Sequence, residues 1–212
     1  MSENIKHYYN NNDFIELFEK RLCEYTGAPY AVAVDRCTNA ILLCLEYFRK
    51  RKQKITLPKR TYQSVPMTLI HHRYNVWLED IEWTAKYRIG MTNIYDCAVG
   101  FDKDMYVSGE IQCLSFQQKK RLAIGKGGAI LLDDEQMYNT LKRLRHDGRD
   151  SSKPVVKEDP DDFIMGFHMY MSPDEAAKGL LLLNQLKDDY VPGSHHDYPD
   201  MSKFKVLKDF AI

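Results

Sequence analysis

The feature that most constrains the fold of this chain is a repeated alternation of short apolar segments with helical periodicities. Several apolar segments are followed by polar loop residues and then by apolar side chains at helical spacing. This alternation predicts an α/β domain in which helices flank a mostly parallel, mixed sheet. The predicted strands cover residues 30–34, 54–57, 75–78, 92–95, 112–116 and 128–132. The predicted helices cover residues 13–27, 40–48, 62–72, 135–145 and 173–186.

Polar residues follow several of the predicted strands. In parallel sheets, ligands bind at the edge where the strands end, because the loops that follow the strands meet there. We therefore expect these loops to share one rim of the sheet. The residues concerned are Cys37-Thr38, Thr61-Tyr62, Asp96 and the segment from Ser115 to Lys120.

The composition excludes several classes of protein. The 30 basic and 30 acidic side chains of the 212 residues balance, which argues against a nucleic-acid partner, since phosphate binding needs a positive field. No apolar run is long enough to span a membrane, and the polar N-terminus does not resemble a secretory signal. Five dispersed cysteines without a CxxC pair predict neither a disulfide framework nor a zinc site. A cytoplasmic protein with reduced thiols is expected.

The most informative segment joins the last two predicted strands. A strand ends at Ser115, two lysines follow at Lys119 and Lys120, and a turn with three glycines (125–128) leads into the next strand. A desolvated lysine is a good nucleophile towards a carbonyl group, and glycines allow the backbone to turn tightly beside it. Taken by itself, the same segment is more typical of an exposed basic turn.

The wider pattern favours the first interpretation. Residues 115–128 read Ser-Phe-x-x-x-Lys-x-Leu, two residues, and Gly-x-Gly-Gly. This pattern resembles the DegT/DnrJ/EryC1/StrS family, the sugar aminotransferases that use pyridoxal 5'-phosphate (PLP) and have fold type I. The resemblance implies that Lys120, not Lys119, binds PLP covalently, and that Ser115 lies near the PLP phosphate.

Two further segments match in the family's order. Cys37-Thr38 resembles the Gly-Thr that opens a helix onto the PLP phosphate, where free N–H groups and a hydroxyl bind the anion. Cysteine replaces the glycine, and alone the segment is an ordinary strand-to-helix turn with Thr38 as its cap. Tyr62, in a Pro-x-x-Thr-aromatic loop, is implied to stack on the pyridine ring. Alone, this tyrosine would be read as a packing residue.

Asp96 and His168 complete the set of candidate residues. Asp96, in a segment similar to Glu-Asp-Ala-Ala, is implied to pair with the pyridinium nitrogen and keep it protonated. The segment from Gly166 to Ser172 resembles one that lies near the partner subunit's active site, so the resemblance implies a homodimer with a shared active site. His168 either hydrogen-bonds the partner's phosphate or packs at the interface.

The sequence departs from the family pattern in three places. Val99 occupies the position of a Gln or His near the phenolic oxygen of the cofactor. Residues 81–91 replace a longer passage that contains a histidine. Most of the C-terminal small domain is expected to be missing. We therefore expect a PLP-binding large domain over residues 1–150, with residues 151–212 forming a loop, a helix and a surface tail (from Asp188) packed on the same domain.

The resemblance implies an aminotransferase of sugar biosynthesis. It would move an amino group from an amino acid, glutamate, to a keto-sugar that is nucleotide-linked. Because of the departures, the alternative is a shortened, non-catalytic relative that serves as a binding or assembly module. Dehydration of a sugar is disfavoured, because the dehydratases of comparison carry histidine in place of Lys120.

Overall fold

The computed structural model describes residues 12–49, 53–153, 157–187, 189–208 and 210. The polar N-terminal residues and Asp188, with the predictions made for them, lie outside this part. The helices are α1 (Asn12–Thr26), α2 (Cys37–Tyr47), α3 (Ser64–His71), α4 (Glu135–Leu144) and α5 (Pro173–Leu183). The strands are β1 (Tyr30–Val34), β2 (Lys54–Pro58), β3 (Asn75–Glu79), β4 (Tyr87–Arg88), β5 (Ile94–Asp96), β6 (Ile111–Ser115) and β7 (Gly128–Leu132).

All the predicted helices and strands are present, with shifts of a few residues at their ends. The sequence analysis missed only β4, whose two residues are too few to show an alternating pattern. α4 and α5 begin at the predicted residues, and polar caps define both starts. Ser172 and Glu175 form a reciprocal capping box at α5, and the Asp134 side chain accepts a hydrogen bond from the Met137 N–H at α4.

The main sheet has five strands in the order β1-β7-β6-β5-β4, and β2 and β3 form a separate parallel pair. The sheet is mixed, as predicted, but its neighbouring strands are mostly antiparallel, which corrects the expected mostly parallel pairing. β7 runs antiparallel to both β1 and β6, and β4 to β5, whereas β5 and β6 are parallel. The reason is that a turn without a helix joins β6 to β7, and parallel pairing needs a longer crossover. β1, β5 and β6 still point the same way, so their carboxyl ends share one edge.

The side chains of the central strands alternate between two apolar layers. In β7, Ile130 and Leu132 pack into one layer, whereas Ala129 and Leu131 pack into the other. α2 covers the first face and α1 with α5 the second, so β6 and β7 are buried on both sides. This double cover explains why these strands read as continuous apolar runs.

α5 approaches α1 closely at Gly179, where an added Cβ would lie 2.6 Å from Phe18. All five cysteines are free. Among the described residues, no helix combines the length and the apolar character needed to cross a bilayer.

Candidate active site

The shared rim predicted from the sequence is present as a cavity of about 910 Å³ at the carboxyl edge of β1, β5 and β6. It brings together six of the seven candidate residues. These six are Cys37, Thr38, Tyr62, Asp96, Ser115 and Lys120. Their common position is established by the structure, whereas the individual roles assigned to them stay predictions.

Lys120 lies on the turn that links β6 to β7. The turn is closed at its base by hydrogen bonds between Phe116 and the glycines, from the Phe116 N–H to the Gly127 carbonyl and from the Gly125 N–H to the Phe116 carbonyl, each 3.0 Å. Gly127 has a φ of +123°, a conformation that only glycine adopts readily. Both lysines line the cavity, but Lys120 is half-buried, whereas the preceding Lys119 is exposed. The geometry therefore separates the two lysines that the sequence places side by side.

Asp96 is buried at the end of β5, and several donors surround its carboxylate. Oδ2 accepts a 2.6 Å hydrogen bond from the Tyr87 hydroxyl, which lies 2.6 Å from the Thr61 hydroxyl. Oδ1 accepts hydrogen bonds from the Ala98 N–H at 2.9 Å and from the Cys37 thiol at 3.8 Å. Burial raises the pKa of Asp96, although these hydrogen bonds oppose the shift. Burial and the Asp96 charge also raise the pKa of Cys37, so this thiol is protonated at neutral pH.

The N-terminus of α2 opens onto the same cavity. Its N-cap residue Arg36 has an extended backbone and provides no side-chain cap. Thr38 Oγ1 lies 2.6 Å from the hydroxyl of Ser64, the first residue of α3, so two hydroxyls converge there. Gly128 lets β7 approach this helix end, since a Cβ would come within 2.5 Å of the Cys37 nitrogen. Uncapped N–H groups beside hydroxyls form an environment that favours an anion.

Ser115 and Tyr62 line other walls of the cavity. Ser115 is almost fully buried at the end of β6, where its hydroxyl is the last polar group of the strand. Tyr62 lies in the loop before α3 and is 50% exposed, so a large part of its ring surface is free for a ligand. The wall at Val99 is apolar.

The sequence analysis missed a further wall, which residues 189–199 provide. We call this segment the tail strap. It was predicted to lie across the surface, and its residues are exposed or half-exposed there, but the sequence did not indicate that they pair with loops at the cavity mouth. The Tyr190 hydroxyl donates to the Val99 carbonyl at 2.7 Å, and the Gly193 N–H donates to the same carbonyl at 3.3 Å. The strap residues that line the cavity are Tyr190, Val191, Gly193, Asp197, Tyr198 and Pro199.

The strap is irregular, so no periodicity signals its position. Its backbone groups are satisfied by the loop before β4, which itself lacks regular pairing. The Ala85 N–H donates to the Gly193 carbonyl at 2.9 Å, and the His195 N–H donates to the Trp83 carbonyl at 3.1 Å. Tyr87, the donor to Asp96, was missed for the same reason, since it belongs to the short strand that follows this loop.

His168, the seventh candidate, does not line the cavity of its own chain. Its side chain is 70% exposed, and Nδ1 lies 3.0 Å from a carboxylate oxygen of Asp147. The backbone of His168 forms an isolated bridge with His146, and its ring packs edge-on against Tyr170. A contact of His168 with a partner subunit's site stays a prediction.

The mixed sheet carries a lysine on the β6–β7 turn, a buried carboxylate at the end of β5 and an uncapped helix N-terminus. This arrangement is that of the large domain of PLP-dependent enzymes of fold type I. The chain belongs to the DegT/DnrJ/EryC1/StrS aminotransferase family, whose model matches residues 3–96 and 94–190. The family predicted from the motifs is thus confirmed.

Individual relatives are distant. The chain is 22% identical over 250 aligned residues to dTDP-4-amino-4,6-dideoxy-D-glucose transaminase of Shigella dysenteriae. This alignment covers 97% of this chain and 65% of that protein. Among solved structures, 3-amino-5-hydroxybenzoic acid synthase matches with a TM-score of 0.67 and 19% identity, over 82% of this chain and 56% of its own. The sugar aminotransferase CalS13 from Micromonospora echinospora matches with a TM-score of 0.70 and 14% identity, over 82% and 60%.

These likenesses confirm the fold class. The structural matches cover more than four fifths of this chain but less than two thirds of the solved chains. The chain therefore spans little more than half the length of these solved relatives.

Proposed function

We propose that this protein is a PLP-dependent aminotransferase that moves an amino group from glutamate to a nucleotide-linked keto-sugar in the cytoplasm. One observation carries the proposal. In a chain of this family, the half-buried Lys120 amine and the buried Asp96 carboxylate face one cavity of about 910 Å³. The relatives support the sugar substrate by their names, and the cavity supports the presence of a cofactor.

The residues of the cavity fit PLP. The ion pairs of the described residues do not include Asp96, and burial raises the pKa of this carboxyl group. A protonated ring nitrogen would supply the missing opposite charge. The open N-terminus of α2, with Thr38 and the nearby Ser115, suits a phosphate. The half-exposed ring of Tyr62 suits stacking on a planar ring.

Each residue then has a defined task. Bound PLP supplies an electron sink for the negative charge that develops at the substrate carbon. Lys120 holds the cofactor through its amine and, once the amino donor has displaced it, moves a proton to and from the substrate carbon. Asp96 holds the proton on the ring nitrogen, and Tyr87 and Ala98 fix the orientation of its carboxylate through their hydrogen bonds.

The proposal includes a homodimer with a shared active site. The side chain of His168 supports this part, because it is exposed and lies outside its own cavity, on a surface that a neighbour could cover. A protonated imidazole would donate a strong hydrogen bond to the partner subunit's phosphate group.

Trapping of the cofactor tests the function directly. The purified protein is mixed with PLP, reduced with borohydride and digested, and the pyridoxyl group is located by peptide mapping. We expect it on Lys120, we expect Lys120→Ala to abolish it, and we expect the matched control Lys119→Ala to keep it. Label on Lys119 or on neither lysine would refute the assignment. Adding glutamate should then change the absorbance of the bound cofactor, and a cofactor that binds without this change would favour the non-catalytic alternative.

A further inference from the structure

The tail strap brings a phenol to the reactive nitrogen of the site. The Lys120 amine donates a 3.4 Å hydrogen bond to the hydroxyl oxygen of Tyr198. Among the described residues, this is the hydrogen bond that the Lys120 side chain forms. Burial and the nearby Asp96 charge raise the pKa of Tyr198, so the phenol is neutral at physiological pH and can both accept and donate.

Tyr198 is held rigidly, although it lies in an irregular segment. Its ring packs on Trp83 with 5.6 Å between the ring centroids. Its carbonyl accepts a 3.1 Å hydrogen bond from the Arg60 guanidinium, and the Trp83 indole donates to the Arg60 carbonyl at 2.9 Å. Beyond it, the Met201 N–H donates to the Lys59 carbonyl at 2.8 Å. The hydroxyl therefore has a fixed position relative to the cavity.

A rigid partner matters because a lysine amine sits on a flexible four-carbon chain. Fixing such a side chain costs conformational entropy, and a misplaced nucleophile or base loses much of its rate. The cavity wall at Val99 cannot hold the Lys120 amine in place, since the Val99 side chain is apolar and the strap packs directly on it. An added Cβ on Gly193 would lie 3.1 Å from the Val99 Cβ.

We propose that Tyr198 is a positioning residue of this site, whose hydroxyl binds the Lys120 amine and orients it towards the cavity. This inference rests on the proposed function, since it assigns the phenol a role in the chemistry of Lys120. The tail strap is accordingly a part of the active site that delivers one hydrogen-bonding group.

The test compares Tyr198→Phe with Tyr106→Phe. The first variant keeps the ring on Trp83 and removes the hydroxyl from Lys120. The second removes a hydroxyl outside the cavity, which donates to the Glu110 backbone carbonyl. Two rates are measured for each protein. One is the acetylation of Lys120 by acetic anhydride in the cofactor-free chain, relative to Lys119 in the same sample. The other is the covalent capture of PLP on Lys120, trapped with borohydride.

We expect Tyr198→Phe to change the two rates in opposite directions. Acetylation of Lys120 relative to Lys119 should rise about threefold, because the amine no longer has to break a hydrogen bond. Capture of PLP should fall about tenfold, because the amine is no longer oriented. A loosened strap would instead alter both lysines and would appear as faster proteolysis at residues 189–199. Tyr106→Phe should keep both rates.

The outcomes separate this inference from the proposed function. If the wild type captures PLP on Lys120 and Tyr198→Phe captures it at the same rate, Tyr198 has no positioning role and the inference is overturned. If the wild type captures no PLP on Lys120, the proposed function fails and the positioning role falls with it. The acetylation ratio then still reports whether the hydroxyl binds the amine.

Discussion

The Tyr87 hydroxyl donates a 2.6 Å hydrogen bond to Oδ2 of Asp96, and both side chains are buried. Burial raises the pKa of Asp96, and this hydrogen bond opposes the shift. A carboxyl group with a higher pKa in the folded than in the unfolded chain binds its proton more tightly when folded. The folded state therefore loses stability as the pH rises from about 4 through the folded pKa.

Replacement of Tyr87 by Phe should enlarge this loss. Without the donor the pKa of Asp96 rises further, so we expect the free energy of unfolding to fall by about 2 kcal/mol at pH 7 and by less at pH 4. Urea unfolding at both pH values measures the difference. Tyr190→Phe is the control, because its hydroxyl donates to a neutral carbonyl and its effect should not depend on pH. Equal losses at the two pH values for Tyr87→Phe would contradict the prediction.

Asp96→Asn should uncouple cofactor binding from chemistry. The amide keeps the shape of the carboxylate but cannot balance a positive ring nitrogen. We expect PLP to stay bound while the half-reaction with glutamate slows about a hundredfold. Stopped-flow absorbance measures that rate. Asp102→Asn is a matched control, since this aspartate pairs with Arg121 outside the cavity. An unchanged rate in Asp96→Asn would remove Asp96 from the catalytic set.

His168→Ala should weaken PLP affinity about tenfold while leaving the dimer intact, because a charge-assisted hydrogen bond to the partner subunit's phosphate group is lost. Equilibrium dialysis measures the affinity, and sedimentation at micromolar concentration measures the assembly. A monomer with full PLP affinity would refute the shared site. A dimer whose affinity is unaltered by the substitution would favour the packing interpretation of His168.

The Glu19–Arg145 ion pair is a separate structural test. Each side chain is only 6% exposed, Glu19 also accepts the Ala33 N–H at 2.8 Å, and Arg145 donates to the Ala33 carbonyl. Arg145→Met should lower the free energy of unfolding by about 3–5 kcal/mol, since it leaves a buried carboxylate without its main partner. The double variant with Glu19→Met should lose less than the sum of the two single variants. Chemical denaturation decides this, and additive losses would mean that the two charges are not coupled.

The sequence predicted the strands and helices because burial on both sheet faces leaves a clear pattern. β6 and β7 are continuous apolar runs, and Ser115 and Lys120 follow β6 at the rim. The antiparallel direction of β7 could not be read from the pattern, since alternation reports which faces are buried and not which way a strand runs. The glycine turn between β6 and β7 was the available signal.

The local part of the site was predictable, whereas the long-range part was not. The six candidate residues end a strand, begin α2 or lie in a loop that follows a strand, so their position depends on local structure. Tyr87 and Tyr198 reach the site through a two-residue strand and an irregular segment. Neither element has a periodic pattern of apolar residues. Both are held in place by backbone hydrogen bonds, which any sequence can form.

The tail strap also fixes the order in which the site can form. The hydrogen bonds that hold the strap join residues far apart in the chain. Arg60 and Tyr198 are separated by 138 positions, and Val99 and Tyr190 by 91. Contacts of such separation form late in folding, and a chain made from its N-terminus presents its earlier segments first. Strands, helices and the lysine turn can thus assemble on the ribosome before the tail strap forms its wall of the cavity. The Lys120 amine acquires its phenol partner only when the strap emerges, so the reactive centre is completed after the strands and helices that precede the strap.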